Sequence, residues 1–147
     1  MKWLKKIMHT NGDVVFFILR VMLGIVFLPH GAQKVLGWFG GGGFSGTMGM
    51  FESMGVPTLF AFLAIMAEFL GSLGLILGLL TRIAAFGITC VMLVAVMMVH
   101  LPNGIFMNWS GKQAGEGFEY HILVLAITIA LMMRGGGRWS LDRKIAG

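Results

Sequence analysis

Four stretches of the chain are long and apolar enough to form helices that cross a lipid bilayer, which takes about 20 predominantly apolar residues. They cover residues 14–36, 58–80, 83–100 and 120–133. The fourth is the shortest, so we expect it to tilt little or to extend through interfacial residues at its ends. The pattern predicts an all-α integral membrane protein, in which residues 1–147 form a single domain built as a bundle of four transmembrane helices.

Composition indicates that lipid, not water, is the main solvent of this chain. Hydrophobic residues make up 57% of the sequence, charged residues make up 12%, and the mean hydropathy is +0.88. A chain of 147 residues has too little interior to hide so much apolar surface. The net charge of +5 does not indicate nucleic-acid binding, because the basic residues lie near the chain ends and are not interleaved with aromatic residues.

Lysine and arginine are segregated to one side of the predicted bundle. They precede the first helix, occupy the turn between the second and third, and follow the fourth: Lys2, Lys5, Lys6, Arg82, Arg134, Arg138, Arg143 and Lys144. The other two connections, 37–57 and 101–119, contain only Lys112 against Glu52, Glu116 and Glu119. Because Lys and Arg favour the cytoplasmic side, both chain ends are predicted to be cytoplasmic in a bacterial-type inner membrane, with these connections external.

Sulfur offers little candidate chemistry. The only cysteine is Cys90, so the chain has no intrachain disulfide and no Cys-x-x-Cys pair. Thirteen methionines are scattered among leucine and valine, where methionine is typical flexible filler of apolar packing. We therefore predict no metal site.

Ionisable residues inside the predicted helices are the most informative positions. A charged residue at the centre of a membrane helix costs about 2.5 to 3.5 kcal/mol, so it needs an interior partner or water. Helical periodicity places Arg20 and Lys34 on one stripe with small residues of the first helix, and it turns Glu68 towards a neighbouring helix. Estimated depths leave Arg20 within reach of Glu68. We predict that these two residues form a buried charge pair.

A second group is predicted in the outer half of the bundle. His30 and Lys34 lie near the outer end of the first helix, His100 ends the third and Glu119 precedes the fourth. These four side chains are the candidate ligand-binding residues, whereas His121 faces away from Glu119 by about 200°. Such a group either pins helices together, at about 0.6 kcal/mol per polar contact, or binds a ligand. The sequence leaves both interpretations open.

The order and spacing of these residues resemble the DoxX family of small membrane proteins over nearly the whole chain. The matching residues are Arg20-x3-Gly24-x2-Phe27-x2-His30-Gly31-x2-Lys34, Gly55-Val56-Pro57, Glu68-x2-Gly71, Gly78-x2-Thr81-Arg82, His100, Glu119-Tyr120 and Arg138-Trp139-Ser140-Leu141-Asp142. The resemblance implies a four-helix membrane fold. It also implies a connection with redox chemistry, because relatives include subunits linked to thiosulfate oxidation with quinone as acceptor and others in thiol and oxidative-stress assemblies.

The sequence lacks the cysteine pair of thiol-oxidising membrane bundles, so a redox role would need a bound quinone, a haem or a partner subunit. Our hypothesis is a quinone-linked oxidoreductase subunit in which the outer residues hold a quinone head group or a small anion. Haem between His30 and His100 is the less favoured cofactor. The alternatives are a non-enzymatic accessory subunit of a larger membrane complex and a small-molecule transporter. The expected partners are the lipid bilayer and either a larger membrane redox complex or a second copy of the chain.

Overall fold

The computed structural model describes residues 2–146, which form helices joined by turns and contain no strand. The helices are α1 (Lys2–Met8), α2 (Val14–Leu36), α3 (Gly43–Ser53), α4 (Thr58–Leu77), α5 (Thr81–Ala95), α6 (Glu119–Arg134) and α7 (Leu141–Ala146). A 3₁₀ turn at Trp38–Gly40 follows α2, and a π turn (Val96–His100) and a 3₁₀ turn (Leu101–Asn103) extend α5. The expectation of an all-helical chain is confirmed.

Three of these elements are long and apolar enough to cross a membrane: Val14–Leu36, Thr58–Leu77 and the continuous Thr81–Asn103. The fourth predicted span corresponds to α6, which has 16 residues. At 1.5 Å per residue α6 is about 24 Å long, somewhat less than the roughly 30 Å of the hydrocarbon layer. The protein is therefore a multi-pass membrane protein with three candidate spans. Helix α6 is shorter than these spans.

The four long helices form a closed ring. Helix α2 packs against α4, α4 against α5, α5 against α6, and α6 returns to α2. Helix α3 packs on α2 and α4, and α1 and α7 contact each other. Both ends of the described chain consequently lie at the same end of the bundle.

Local sequence explains where the helices begin and end. Asp13 accepts a hydrogen bond from the Val15 N–H at 2.8 Å and so caps α2, which ends at Gly37 in the left-handed conformation. Gly78 is also left-handed, with φ of 68°, and it ends α4 three residues before the predicted end at 80. The next helix then begins at Thr81, two residues earlier than predicted.

Close packing of α2 on α4 depends on glycine. A β-carbon at Gly24 would lie 2.8 Å from the Ser72 carbonyl oxygen, and one at Gly31 would lie 2.6 Å from the Phe69 Cα. Small residues let membrane helices approach closely enough for van der Waals contact along their length. The core beside this contact is apolar and consists of Leu23, Phe27, Leu75, Ala85, Ile88, Met92, Val124 and Leu131.

The outer surface of the ring is also apolar. Many large side chains there are exposed, among them Ile18, Met22, Ile25, Leu63, Leu70, Phe86, Leu123 and Ile129. An apolar belt on every helix of the ring is what a lipid environment requires. The only cysteine, Cys90, is likewise exposed on α5.

The sequence predicts no helix in the connection 37–57, yet α3 occupies eleven of its residues. Glycine is frequent there, which lowers intrinsic helix propensity. Packing outweighs that propensity, because α3 lies against α2 and α4 and buries Thr47.

Candidate polar site in the bundle

The interior of the bundle contains an ion pair between adjacent helices. The Nζ of Lys34, on the last turns of α2, donates a hydrogen bond to Oε2 of Glu68, in the middle of α4. The Glu68 side chain is 5% exposed and that of Lys34 is 23% exposed. Burial makes each charge dependent on the other, because an unpartnered charge in the membrane interior is costly.

Arg20 is 1% exposed and binds backbone carbonyls. Its Nε donates to the Gly136 oxygen at 2.8 Å, and Nη1 donates to the oxygens of Leu75, at 2.8 Å, and Ile76. Nη2 donates to the Trp139 oxygen at 3.0 Å. Since the last carbonyls of a helix have no partner within it, Arg20 caps the C-terminus of α4 and ties it to the segment after α6.

The predicted pair of Arg20 with Glu68 is therefore not formed. Both residues are buried as expected, but each has another partner: Glu68 binds Lys34, and Arg20 binds carbonyls near the α1–α7 end of the bundle. A planar guanidinium with five donors suits several carbonyls at a helix end, whereas the flexible lysine reaches the carboxylate as a point charge.

Two histidines meet at the other end of the bundle. The rings of His100, at the end of the π turn, and His121, on the first turn of α6, have centroids 4.1 Å apart. His100 Nδ1 is 2.8 Å from the Glu116 carbonyl oxygen, which holds its ring. His121 is 6% exposed inside the bundle, whereas Glu119 binds the connection before α6, so the two side chains point in different directions, as the helical periodicity predicts. The π turn at Val96–His100 departs from the simple 100° periodicity at His100 itself.

Tyr120 connects this histidine pair to the ion pair. Its ring packs edge-on against His121 with centroids 5.5 Å apart and lies against the buried core of the bundle, which also contains the Glu68 side chain. The Tyr120 hydroxyl and the His121 Nδ1 are both buried and have no hydrogen-bond partner among the described residues. Buried polar atoms without partners are rare, and they point to a bound water, ion or ligand.

The other predicted pocket residues do not join this group. His30 is exposed on α2, and its nearest aromatic neighbour is Phe27, with centroids 6.4 Å apart. Glu119 binds the connection that precedes α6 instead, because its Oε1 accepts a hydrogen bond from the Met107 N–H at 2.8 Å. Helices α2 and α5 are at opposite corners of the ring, so His30 and His100 are not brought together.

We define the outer polar site as Lys34, Glu68, His100, Tyr120 and His121, where outer means towards the end of the bundle opposite α1 and α7. Two of its members, Tyr120 and His121, were missed as site residues by the sequence analysis. In the sequence, Tyr120 and His121 are marked only by their position next to Glu119, at the start of the last apolar stretch. That position alone does not distinguish an interfacial tyrosine from a buried one. Tyr120 and His121 begin the last apolar stretch at the end of the bundle where His100 ends the third one, and this shared position is the sequence signal for including them.

At the opposite end of the bundle, hydrogen bonds from side chains hold the helix ends together, and the sequence does not indicate them. Asp142, 1% exposed, accepts hydrogen bonds from the N–H groups of Leu80 at 2.7 Å and Thr81 at 2.8 Å. Arg82 donates to the carbonyls of Met132 at 2.9 Å and His9 at 3.0 Å. With Arg20, these residues bind helix ends together, which makes their role architectural.

The fold and site define a class: a small, multi-pass, all-helical membrane protein with a buried ion pair and a histidine–tyrosine group near one end. Comparison with known proteins gives the particular family. The DoxX family model matches residues 15–101. The chain belongs to the DoxX family.

Three relatives match along most of their length. An uncharacterized membrane protein of Mycobacterium tuberculosis is 32% identical, with 96% of this chain and 87% of the relative covered. A Bacillus subtilis protein named "Putative oxidoreductase CatD" is 28% identical over 84% of this chain and 83% of its own. The inner membrane protein YqjF of Escherichia coli is 31% identical, with coverages of 92% and 95%. No solved structure matches the chain.

Proposed function

We propose that this protein is a redox-associated membrane subunit that binds a quinone head group at the outer polar site. The observation that carries the proposal is the pair of buried, unpartnered polar atoms, Tyr120 Oη and His121 Nδ1, beside the Lys34–Glu68 ion pair. A quinone offers carbonyl oxygens that a tyrosine hydroxyl or a protonated imidazole nitrogen can bind. The name of the Bacillus subtilis relative is consistent with a redox role.

The residues present fit such a group chemically. When bound, a quinone supplies an acceptor that takes up electrons together with protons. The Tyr120 hydroxyl would orient one carbonyl, and His121 would hold or release a proton at Nδ1. His100, in tilted contact with His121 and held by the Glu116 carbonyl, would position that ring towards the external end. Lys34 and Glu68 would fix the local charge.

The electron donor in this proposal is a partner protein within a larger membrane redox complex. The chain itself has one cysteine and hence no dithiol that could be oxidised to an internal disulfide. The site needs only to bind and protonate the acceptor, so the partner contributes the reducing group.

The membrane arrangement that goes with this function has four crossings and both chain ends in the cytoplasm of a bacterium. Helix α6 would be the fourth crossing, since it completes the ring and carries exposed apolar residues such as Leu123 and Ile129. The basic residues of α1, α7 and the α4–α5 turn would then lie inside, and the outer polar site would lie towards the exterior. The name of the Escherichia coli relative agrees with an inner-membrane location.

The test is quinone retention by the purified protein. The full chain is extracted in mild detergent, and its bound quinone is measured by chromatography after solvent extraction. We expect Tyr120→Phe and His121→Gln to lower the quinone content by about tenfold or more, the equivalent of at least one lost hydrogen bond with an unpaired partner. His30→Gln and Thr128→Val are the controls: His30 is outside the site, and the Thr128 hydroxyl is already bonded to Thr89 at 2.8 Å.

The outcomes separate the proposed function from its alternatives. Quinone content that is unchanged in both site variants, while the protein remains folded, would overturn the quinone site. Stoichiometric co-purification of large subunits without quinone would instead indicate the accessory subunit. Uptake of a solute into vesicles that depends on Lys34 and Glu68 would indicate a transporter.

A further inference from the structure

A shallow basic groove lies at the α1–α7 end of the bundle, away from the outer polar site. Its volume is about 330 Å³, and it is lined by Arg138, Trp139, Ser140, Arg143 and Lys144. A smaller hollow beside it is lined by His9, Thr10, Arg143 and Ala146. Arg143 is common to both, and its guanidinium lies over Gly12, where a β-carbon would be 2.4 Å from Nη1.

No carboxylate of the described residues forms a direct ion pair with the basic side chains of this groove. The two acidic residues at this end, Asp13 and Asp142, both accept hydrogen bonds from backbone N–H groups at helix starts. Among the described side chains, those of residues 3–146, the sole ion pair of a lysine or arginine with a carboxylate is Lys34–Glu68, which lies away from the groove. Arg138, Arg143 and Lys144 are all exposed and so are available to an external anion.

The groove lies level with the start of α2, the first of the candidate membrane spans. Trp139 is 63% exposed and packs edge-on against Phe17 of the first turn of α2, with centroids 4.9 Å apart. Tryptophan favours this interfacial level of a bilayer. The Arg138 guanidinium lies over the Trp139 ring, 4.9 Å from its centroid, so a cation and an aromatic ring are presented together.

The backbone holds Trp139 in this position. Its φ is 56°, a left-handed backbone conformation that residues other than glycine seldom adopt. The buried Arg20 fixes the segment by donating to the carbonyl oxygens of Trp139, at 3.0 Å, and Gly136, at 2.8 Å. The groove is thus formed by a segment that the interior of the bundle holds in place.

We infer that this groove binds the head group of an anionic phospholipid in the adjacent leaflet. The phosphate would lie among Arg138, Arg143 and Lys144, and the start of the acyl chains would lie along Trp139. Juxtamembrane basic residues gain appreciable attraction to anionic lipid, and arginine suits phosphate through its fork of donors. The inference does not rest on the proposed quinone site, which lies at the opposite end.

The test is lipid titration of the full-length protein in detergent, with phosphatidylglycerol and phosphatidylcholine as probes and binding followed by native mass spectrometry. Arg143→Gln/Lys144→Gln removes two charges from the groove. Lys5→Gln/Lys6→Gln is the matched control, because it removes two exposed charges from the same end outside the groove. We expect the groove variant to weaken phosphatidylglycerol binding by about tenfold or more and to leave phosphatidylcholine binding unchanged, whereas the control changes little.

Several results would overturn the inference. Equal losses in the two variants would show general attraction to the basic end, and equal affinity of the native protein for both lipids would show no head-group selectivity. Full competition by inorganic phosphate at the same concentration as the lipid would show a free-anion site. Circular dichroism in phosphatidylcholine checks that each variant is folded. If one of the double variants is not folded, the single variants Arg138→Gln and Lys5→Gln are compared in the same way.

Discussion

Lys34 on α2 donates a hydrogen bond to Glu68 on α4, and the carboxylate it reaches is 5% exposed. The two helices approach closely here because Gly31, one turn before Lys34, lies against the backbone of Phe69. The long lysine side chain therefore spans a short distance to its partner, while the side chain as a whole remains 23% exposed. Contact between the backbones and pairing of the charges occur at the same level of the bundle.

Removing one member of this pair should cost more than removing both. Lys34→Met leaves the Glu68 carboxylate buried without a partner, and we expect a loss of about 2 to 3 kcal/mol of unfolding free energy, somewhat below a fully buried pair because Lys34 is partly exposed. Lys34→Met combined with Glu68→Leu should recover most of that loss. The unfolding free energies of the three variants are measured by steric trapping or by denaturant unfolding in detergent. If the double variant is as unstable as the sum of the single ones, the two residues do not act as a pair.

Arg20→Leu should destabilise the protein through the carbonyls it leaves unpaired. The guanidinium donates to Leu75 at the end of α4 and to Gly136 after α6, so its loss removes hydrogen bonds from several carbonyls at once; Leu75 alone keeps a weaker bond from Gly78. We expect a cost of about 3 kcal/mol or more in unfolding free energy. Arg138→Leu, whose side chain is exposed, is the control and should change stability by less than about 1 kcal/mol. Equal melting temperatures for the two variants would contradict the capping role.

Two aspartates cap helices in different surroundings, and this difference is measurable. Asp13 is exposed and caps α2 with one hydrogen bond, whereas Asp142 is buried and binds the N–H groups of Leu80 and Thr81. Asp13→Ala should cost about 1 kcal/mol, typical of a lost N-cap. Asp142→Ala should cost about 1 to 2 kcal/mol more, because two buried donors lose their acceptor. Thermal unfolding of both variants under one condition makes the comparison, and a larger loss for Asp13→Ala would refute it.

The burial of α2 could be predicted from the sequence, but the partners of its charged residues could not. Periodicity placed Arg20, Gly24, Phe27 and Gly31 on one stripe, and all four are buried. His30, about 40° from Lys34, falls outside the contact and is exposed. Such an angle decides burial only when the positions of neighbouring helices are known, and the sequence does not give them.

Depth along the membrane was also too coarse to choose partners. Arg20 lay within reach of Glu68 by that measure, yet the ends of α4 and α6 offered carbonyls closer to its own level. Every helix ends in carbonyl groups without a partner inside the helix, and no residue type in the sequence identifies which side chain will bind them. The His100–His121 contact was hidden for a related reason, since the π turn before His100 changes the direction of its ring.

Glycine at position 31 should be required for packing, whereas glycine at position 46 should not. A β-carbon at Gly31 would meet the Phe69 backbone at 2.6 Å, which cannot be relieved by moving a side chain. We expect Gly31→Ala to cost about 1 to 3 kcal/mol by separating α2 from α4. Gly46 lies in α3 with nothing within 4 Å of a β-carbon, so Gly46→Ala should gain up to about 1 kcal/mol from helix propensity. Parallel unfolding measurements test both, and a tolerated Gly31→Ala would show that the helices are not held at this distance.

Reporter fusions can establish the orientation of the bundle. The α1–α7 end carries Lys5, Lys6 and Arg143, and the opposite connections carry Glu116 and the single Lys112, so we expect the basic end to face the cytoplasm. Alkaline phosphatase, active only outside, should be active when inserted at Gly42 or Gly111 and inactive when fused after Gly147. A fluorescent protein that folds only inside should give the reverse pattern. Because Gly111 and the C-terminus flank α6, opposite signals at these two sites would also establish that this 16-residue helix crosses the membrane. The same signal at both sites would leave α6 outside the bilayer core and remove the fourth crossing.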